Sequence, residues 1–218
     1  SRAGIDPSLW SETWHFAKEH LERGRNKNNF DIRHTLSAIM WGLDLSQKHN
    51  QLIIGRNIQG KKVDPAVISL ALTLHDIGYD KLFDRSSLTT EEIGTQKTIH
   101  MISGAKFAED FLLDIAKLTD GQKQRITHLV LVHDNNDLKD PDELIVMQAD
   151  GMGAIDTRRV YSSFDLKSAT THVVQALTDP NSRYLRCLPH LNTDGVYSKM
   201  LQAYFHRAMM GVDYLGPK

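Results

Sequence analysis

The dipeptide His75-Asp76 is the first place where residue type and position together suggest chemistry. It directly follows residues 66–74, AVISLALTL, a run that is apolar on every side and is therefore predicted to be a central helix. A charged aspartate at the buried end of such a helix is costly unless something compensates it. A divalent cation compensates well, because it pairs with the carboxylate and takes a ring nitrogen as a ligand. The alternative is a capping aspartate beside a surface histidine.

Four more polar residues occupy similar positions. His34 precedes an amphipathic run, His100 opens the predicted helix that contains SGAKFAEDF, His133 ends ITHLVLVH, and Asp150 lies inside LIVMQADGMGAI. Each of these residues taken alone also fits a structural role. Their shared placement, at the core-facing ends or interiors of separate helices, predicts that they meet in one pocket.

The elements that must position these residues are helical nearly throughout. Asp64-Pro65 is a helix start, with a cap followed by proline in the first turn, and Gly78 is expected to end that helix. We predict loops or a short hairpin at 49–63 and a loop or fraying helix at 84–97. Helices are predicted at about 8–22, 32–48, 65–76, 98–118, 122–133, 141–156, 165–177 and 194–211.

Composition limits the function classes. The 218 residues include 40% apolar and 24% charged residues, which is typical of a soluble single domain, and the formal net charge of −1 favours neither a nucleic-acid polymer nor a membrane as partner. The single cysteine, Cys187, excludes an intramolecular disulfide and a Cys-rich zinc site. No run approaches the ~18 apolar residues that span a bilayer. We therefore expect a cytoplasmic protein.

The ordered series of chemical residues resembles the HD-domain superfamily of metal-dependent phosphohydrolases. The strings that carry the resemblance are LALTLHDIG, HMISGAKFAEDFL, ITHLVLVHDN and VMQADGMGAID, and it covers roughly residues 30–156. The series itself is His34, His75-Asp76, His100, His133 and Asp150.

The resemblance implies an all-α fold, an HD-domain-like bundle of about five core helices that converge on the metal. The chain is then one HD-type domain, 1–218, with a motif core at about 30–156 and additional C-terminal helices in an extension at 157–218. In the family's minimal site one metal is held by the equivalents of His34, His75, Asp76 and Asp150. Two-metal members add histidines that match His100 and His133, with the aspartate of the pair bridging both ions.

The implied chemistry is hydrolysis of a phosphate mono- or diester, nucleotide-like, by a metal-activated water at a dinuclear site. The cofactor is two divalent transition-metal ions; mixed imidazole and carboxylate ligands suit Fe, Mn, Zn, Co or Ni and do not identify the metal. The expected partner is a small phosphorylated substrate, and the oligomeric state is open. Asp76 and Lys81 are the predicted catalytic residues, and the candidate phosphate-binding cations are Arg33, Lys81, Lys139, Arg158 and Arg159.

Two departures and two alternatives remain. Some members carry a glutamate after the pair as general base, where this chain offers only Asp80, and the doubled histidine of cyclic-dinucleotide phosphodiesterases is missing because Asp134 follows His133. One alternative is a mixed-valent di-iron oxygenase of the HD type that cleaves a C–C or C–P bond with O₂. The other is a non-catalytic regulatory module, against which the complete ligand series argues.

Overall fold

The computed structural model describes residues 4–23, 30–56, 60–81, 90–135 and 137–155. Within these ranges the chain is all-α and forms six helices and one short 3₁₀ turn. The helices are α1 (Pro7–Arg23), α2 (Phe30–Arg56), α3 (Pro65–Leu74), α4 (Thr90–Leu113), α5 (Asp120–Val132) and α6 (Pro141–Ile155), with the 3₁₀ turn (Ile77–Lys81) between α3 and α4. None of the described helices is long and apolar enough to cross a lipid bilayer.

Helix α3 forms the centre of the bundle. Every residue from Val67 to Leu74 is buried, and α3 packs against α1, α2, α5 and α6. Its start is the predicted one: the Asp64 carboxylate accepts a hydrogen bond of 2.9 Å from the backbone N–H of Ala66, and Pro65 occupies the first turn. The buried end of α3 therefore delivers His75 and Asp76 into the interior.

Two glycines let backbones approach closely. A Cβ on Gly78 would lie 1.9 Å from the carbonyl oxygen of His100 and 2.6 Å from the amide nitrogen of Gly104, so the 3₁₀ turn rests directly on α4. A Cβ on Gly153 would lie 2.9 Å from the amide nitrogen of Ala38, which brings α6 against α2. The expectation that Gly78 ends α3 as a helix cap is wrong: α3 ends at Leu74, and among the described glycines only Gly4 has a positive φ.

Helix α2 is longer than expected, so the prediction of a loop or hairpin at 49–63 is wrong for 49–56. The returning segment 60–64 supports its last turns. The Asn50 side chain donates to the carbonyl of Val63 and accepts from its N–H, both at 2.9 Å, and His49 Nε2 lies 3.0 Å from the carbonyl oxygen of Lys61. These tertiary contacts outweigh the weak helix propensity of the segment.

Helix α4 begins at Thr90, so of the loop or fraying helix predicted at 84–97 the loop is wrong for 90–97. His100 lies inside the helix instead of opening it. This helix also ends earlier than expected, at Leu113. The C-terminal extension at 157–218, with its predicted helices at 165–177 and 194–211, lies outside the described residues.

Helices α5 and α6 are joined by an ion-pair group that we call the Arg125 cluster. The Arg125 guanidinium donates to Asp142 Oδ2 at 2.8 Å, to Glu143 Oε1 at 3.2 Å and to Asp140 Oδ2 at 3.2 Å. His128 Nε2 lies 2.8 Å from Glu143 Oε1. Because Asp142 and Glu143 occupy the first turn of α6, the cluster fixes the start of that helix against α5.

Candidate metal centre

Five helices deliver the six predicted ligands to one place. His34 comes from α2, His75 and Asp76 from the end of α3, His100 from α4, His133 from the end of α5, and Asp150 from α6. The four histidines are between 0% and 4% exposed, and Asp76 is 6% exposed. The six side chains are therefore brought together inside the bundle, as the sequence predicted.

The first half of the centre contains His34, His75 and Asp150. The Nε2 atoms of His34 and His75 lie 3.2 Å apart. Asp150 Oδ1 lies 3.0 Å from His34 Nε2 and 3.5 Å from His75 Nε2. Asp76 Oδ2 completes the group, at 3.5 Å from His34 Nε2 and 3.4 Å from His75 Nε2.

The second half of the centre contains His100 and His133, whose Nε2 atoms lie 3.1 Å apart. The other carboxylate oxygen of Asp76, Oδ1, faces this pair at 3.6 Å from His100 Nε2 and 3.8 Å from His133 Nε2. The two oxygens of Asp76 thus face two different pairs of imidazoles, which is the arrangement of a carboxylate that bridges two cations.

Backbone hydrogen bonds fix the tautomers of two of the histidines. Nδ1 of His75 lies 2.7 Å from the carbonyl oxygen of Leu72, and Nδ1 of His133 lies 2.7 Å from that of Val130. A carbonyl oxygen can only accept, so Nδ1 must carry the proton and donate it in both rings. When the ring is neutral, its Nε2 then presents a lone pair to the centre, which is the form that binds a metal.

The charges of the cluster shift its pKa values in opposite directions. Burial lowers the pKa of His75, but attraction to Asp76 and contact with Asp150 raise it to about 9. Burial and the charge of His133 lower the pKa of His100 to about 4, and burial and His75 lower that of His133. The carboxyl groups behave alike: burial raises their pKa values, but the neighbouring imidazoles hold both Asp76 and Asp150 well below the usual range.

The donor set fits two cations. Ligand atoms about 2.0–2.2 Å from a metal ion lie roughly 3.0–3.4 Å from their neighbours in octahedral or tetrahedral geometry, and the separations within each half are 3.0–3.8 Å. Two groups have donor atoms close enough to hold an ion, namely His34 with His75 and Asp76, and Asp76 with His100 and His133. Imidazole and carboxylate donors suit first-row transition metals.

Sequence reasoning missed one ion pair beside the second half. Lys97 Nζ lies 2.8 Å from Asp134 Oδ2, and the Asp134 side chain is only 7% exposed. Lys97 lies one helical turn before His100, so an i, i+3 search around the predicted ligands would have found it, and Asp134 directly follows His133. The pair places one positive and one negative charge on the same flank as His100 and His133.

The predicted phosphate-binding cations have mixed outcomes. Arg33 and Lys139 both lie in the described part of the chain and are exposed. The side chains of Lys81 and Asp80, together with Arg158 and Arg159, lie outside the described part of the chain. All five cations therefore stay predictions.

Comparison with known proteins assigns the family. No curated protein and no solved structure matches the chain significantly. The family model for the HD domain matches residues 31–155, which is more than half of the 218 residues and includes all six side chains of the centre. This chain belongs to the HD-domain family.

Proposed function

We propose that this protein is a metal-dependent phosphohydrolase that cleaves a phosphate mono- or diester of a small, nucleotide-like substrate. HD-domain proteins are generally metal-dependent phosphohydrolases, and the cluster here has groups that could hold a metal. The observation that carries the proposal is the placement of Asp76, whose two oxygens face two separate imidazole pairs. A two-cation site is suited to phosphoryl chemistry, because both the attacking and the leaving oxygen gain a positive neighbour.

When bound, two divalent cations would acidify a bridging water and neutralise phosphate charge. Asp76 would help to hold both cations, because it belongs to both groups of candidate ligands. His75 and His133 would keep their Nε2 lone pairs aimed inward through their Nδ1–H bonds to Leu72 and Val130. Lys97, half-exposed beside Asp134, would place positive charge near a phosphate that enters from this side.

The experiment begins with metal-free protein, to which Mn²⁺, Fe²⁺, Zn²⁺, Co²⁺ and Ni²⁺ are returned separately. Elemental analysis measures bound metal, and a panel of nucleotides, cyclic dinucleotides and sugar phosphates measures phosphate release. We expect two ions per chain and metal-dependent hydrolysis of at least one phosphorylated compound. Two iron ions per chain with no hydrolysis, but with O₂ consumption on an organic substrate, would replace the hydrolase with the oxygenase alternative.

Asp76→Ala is the decisive variant. It should abolish metal-dependent turnover, a loss beyond the roughly 10–100-fold that removing a supporting residue causes, while the far-UV circular dichroism stays helical. Asp110→Ala is the matched control, because Asp110 is an exposed aspartate paired with Lys106 on α4. Retained turnover in Asp76→Ala would contradict the proposed site.

A further inference from the structure

The histidines of the centre are held in different ways. His75 and His133 each donate Nδ1–H to a carbonyl one turn earlier in the chain. His100 is fully buried, yet within the described part of the chain its Nδ1 has no hydrogen-bond partner. The imidazole of His100 therefore lacks the backbone bond that fixes ring orientation in the other two.

At His100 an aromatic ring contacts the imidazole in place of a backbone hydrogen bond. The Tyr79 ring stacks on the His100 imidazole, with ring centroids 3.9 Å apart and planes only 7° from parallel. Tyr79 is itself 5% exposed and belongs to the 3₁₀ turn. The adjacent Gly78 lies against the α4 backbone at His100. This backbone contact holds the turn that carries Tyr79 beside the His100 ring.

We propose that Tyr79 is a positioning residue for the second cation, an inference that rests on the proposed two-ion site. Its ring confines the His100 imidazole to the plane in which Nε2 faces His133 and Asp76. An imidazole that binds a cation gains partial positive charge, and the face of an aromatic ring attracts positive charge. The stack therefore favours His100 in its metal-bound form as well as in its correct orientation.

This arrangement makes the two ions unequal. The first ion would depend on His34, His75, Asp150 and the shared Asp76. The rings of His34 and His75 lie beside each other, whereas the ring that stacks on Tyr79 is that of His100. The second ion depends on His100, whose orientation Tyr79 sets. Removing the ring should weaken the second ion selectively, whereas general damage to the fold would weaken both.

The test titrates Mn²⁺ into metal-free protein by calorimetry and counts bound ions by elemental analysis. Wild type and Tyr79→Phe, which keeps the ring, should bind two ions. Tyr79→Leu should bind the first ion with unchanged affinity and the second about 10–100-fold more weakly, the effect expected when a residue that orients a ligand is lost. Phe111→Leu is the matched control, because it removes a different stacked ring. Phe111 lies on α4, as His100 does, and stacks on Phe16 with ring centroids 4.3 Å apart and planes 11° from parallel. It should lower Tm and still bind two ions.

Three results would overturn the role of Tyr79. Wild-type affinity for both ions in Tyr79→Leu would show that the ring is not needed, and loss of the second ion in Tyr79→Phe would assign the effect to the hydroxyl instead of the stack. A wild type that binds fewer than two ions would reject the two-ion site itself and, with it, this role. NMR of the metal-free protein then shows which part failed, since ring-current shifts of the His100 ring protons that persist in Tyr79→Phe and vanish in Tyr79→Leu report the stack alone.

Discussion

The metal centre and the Arg125 cluster are two buried or half-buried groups of charged residues, and helix α6 contributes to both. In the Arg125 cluster the carboxylates of Asp140, Asp142 and Glu143 each accept a hydrogen bond from one guanidinium. In the metal centre, the carboxylate oxygens of two aspartates and the Nε2 atoms of four histidines lie close together. In the first cluster an arginine balances the carboxylates, whereas the second is a group of side chains that could hold a metal.

The difference shows that burial of charged residues is not by itself a sign of function. Asp142 and Asp150 are both acidic residues of α6 with low exposure, and both have pKa values below the ordinary one. What separates them is the partner: an arginine fork for Asp142 and imidazole nitrogens for Asp150. An arginine neutralises a carboxylate permanently, whereas an imidazole can give up its proton and then bind a metal beside the carboxylate.

The largest expected effect is on metal binding, which should differ between substitutions in the two halves of the metal centre. His34→Ala should weaken the first ion at least about 100-fold, because it removes a direct ligand and not a supporting residue. His100→Ala or His133→Ala should lower the stoichiometry to one ion and leave the first in place. Elemental analysis after dialysis measures both outcomes. Unchanged stoichiometry in the His100 and His133 variants would indicate a mononuclear centre.

Chelation should destabilise the protein through the metal centre alone. At an ion concentration about 100 times Kd, one bound ion stabilises the folded state by roughly 2.7 kcal/mol, and Tm changes by roughly 2–4 °C per kcal/mol in a domain of this size. Removing one ion should therefore lower Tm by about 5–10 °C, and removing both ions should lower it by about twice as much. Calorimetric scans with and without chelator measure this shift, and Arg125→Met should show the same shift as wild type.

Arg125→Met should destabilise the fold without touching the metal centre. The substitution leaves the largely buried Asp142 carboxylate without its main donor, which costs about 1–3 kcal/mol. Urea unfolding measures the loss, and metal stoichiometry should stay at the wild-type value. Lys106→Met, which breaks an exposed ion pair with Asp110, is the control and should change stability by less than about 1 kcal/mol. A change in metal stoichiometry in Arg125→Met would mean that the two clusters are coupled through α6.

The smallest expected effect is the acid dependence of the Arg125 cluster. Burial raises the pKa of Asp142, but the hydrogen bond from Arg125 lowers it below the ordinary 3.8. A folded-state pKa below the unfolded one adds stability above pH 3.8, and this stability is lost as the pH falls through the folded value. The difference in unfolding free energy between wild type and Arg125→Met, measured in metal-free protein, should shrink as the pH falls below about 4. A constant difference would assign the stability to packing of the Arg125 side chain.

Much of the centre could be predicted because its polar residues lie in apolar stretches of the sequence. His75, His133 and Asp150 each lie within or at the end of an apolar run, where a polar group needs a compensating partner. The central helix was equally visible, since α3 is apolar on every side and starts at Asp64-Pro65. Local sequence was sufficient wherever burial and capping acted within one helix.

The remaining features depend on contacts between distant segments. The last turns of α2 are held by hydrogen bonds between the Asn50 side chain and the Val63 backbone, 13 residues away. No local sequence pattern predicts that contact. The stack of Tyr79 on His100 and the ion pair of Lys97 with Asp134 likewise join separate elements. The Arg125 cluster was missed because exposed-looking charges near a helix start are usually solvated.

The close approach at Gly78 has a consequence for the spacing of the two ions. Asp76 lies two residues before Gly78, and Gly78 lies against the main chain at His100, so the bridging carboxylate and the second half of the centre are linked by backbone packing. A single methyl group at position 78 would force the turn away from α4. In the proposed two-ion site, one substitution outside the ligand set would therefore weaken the second ion.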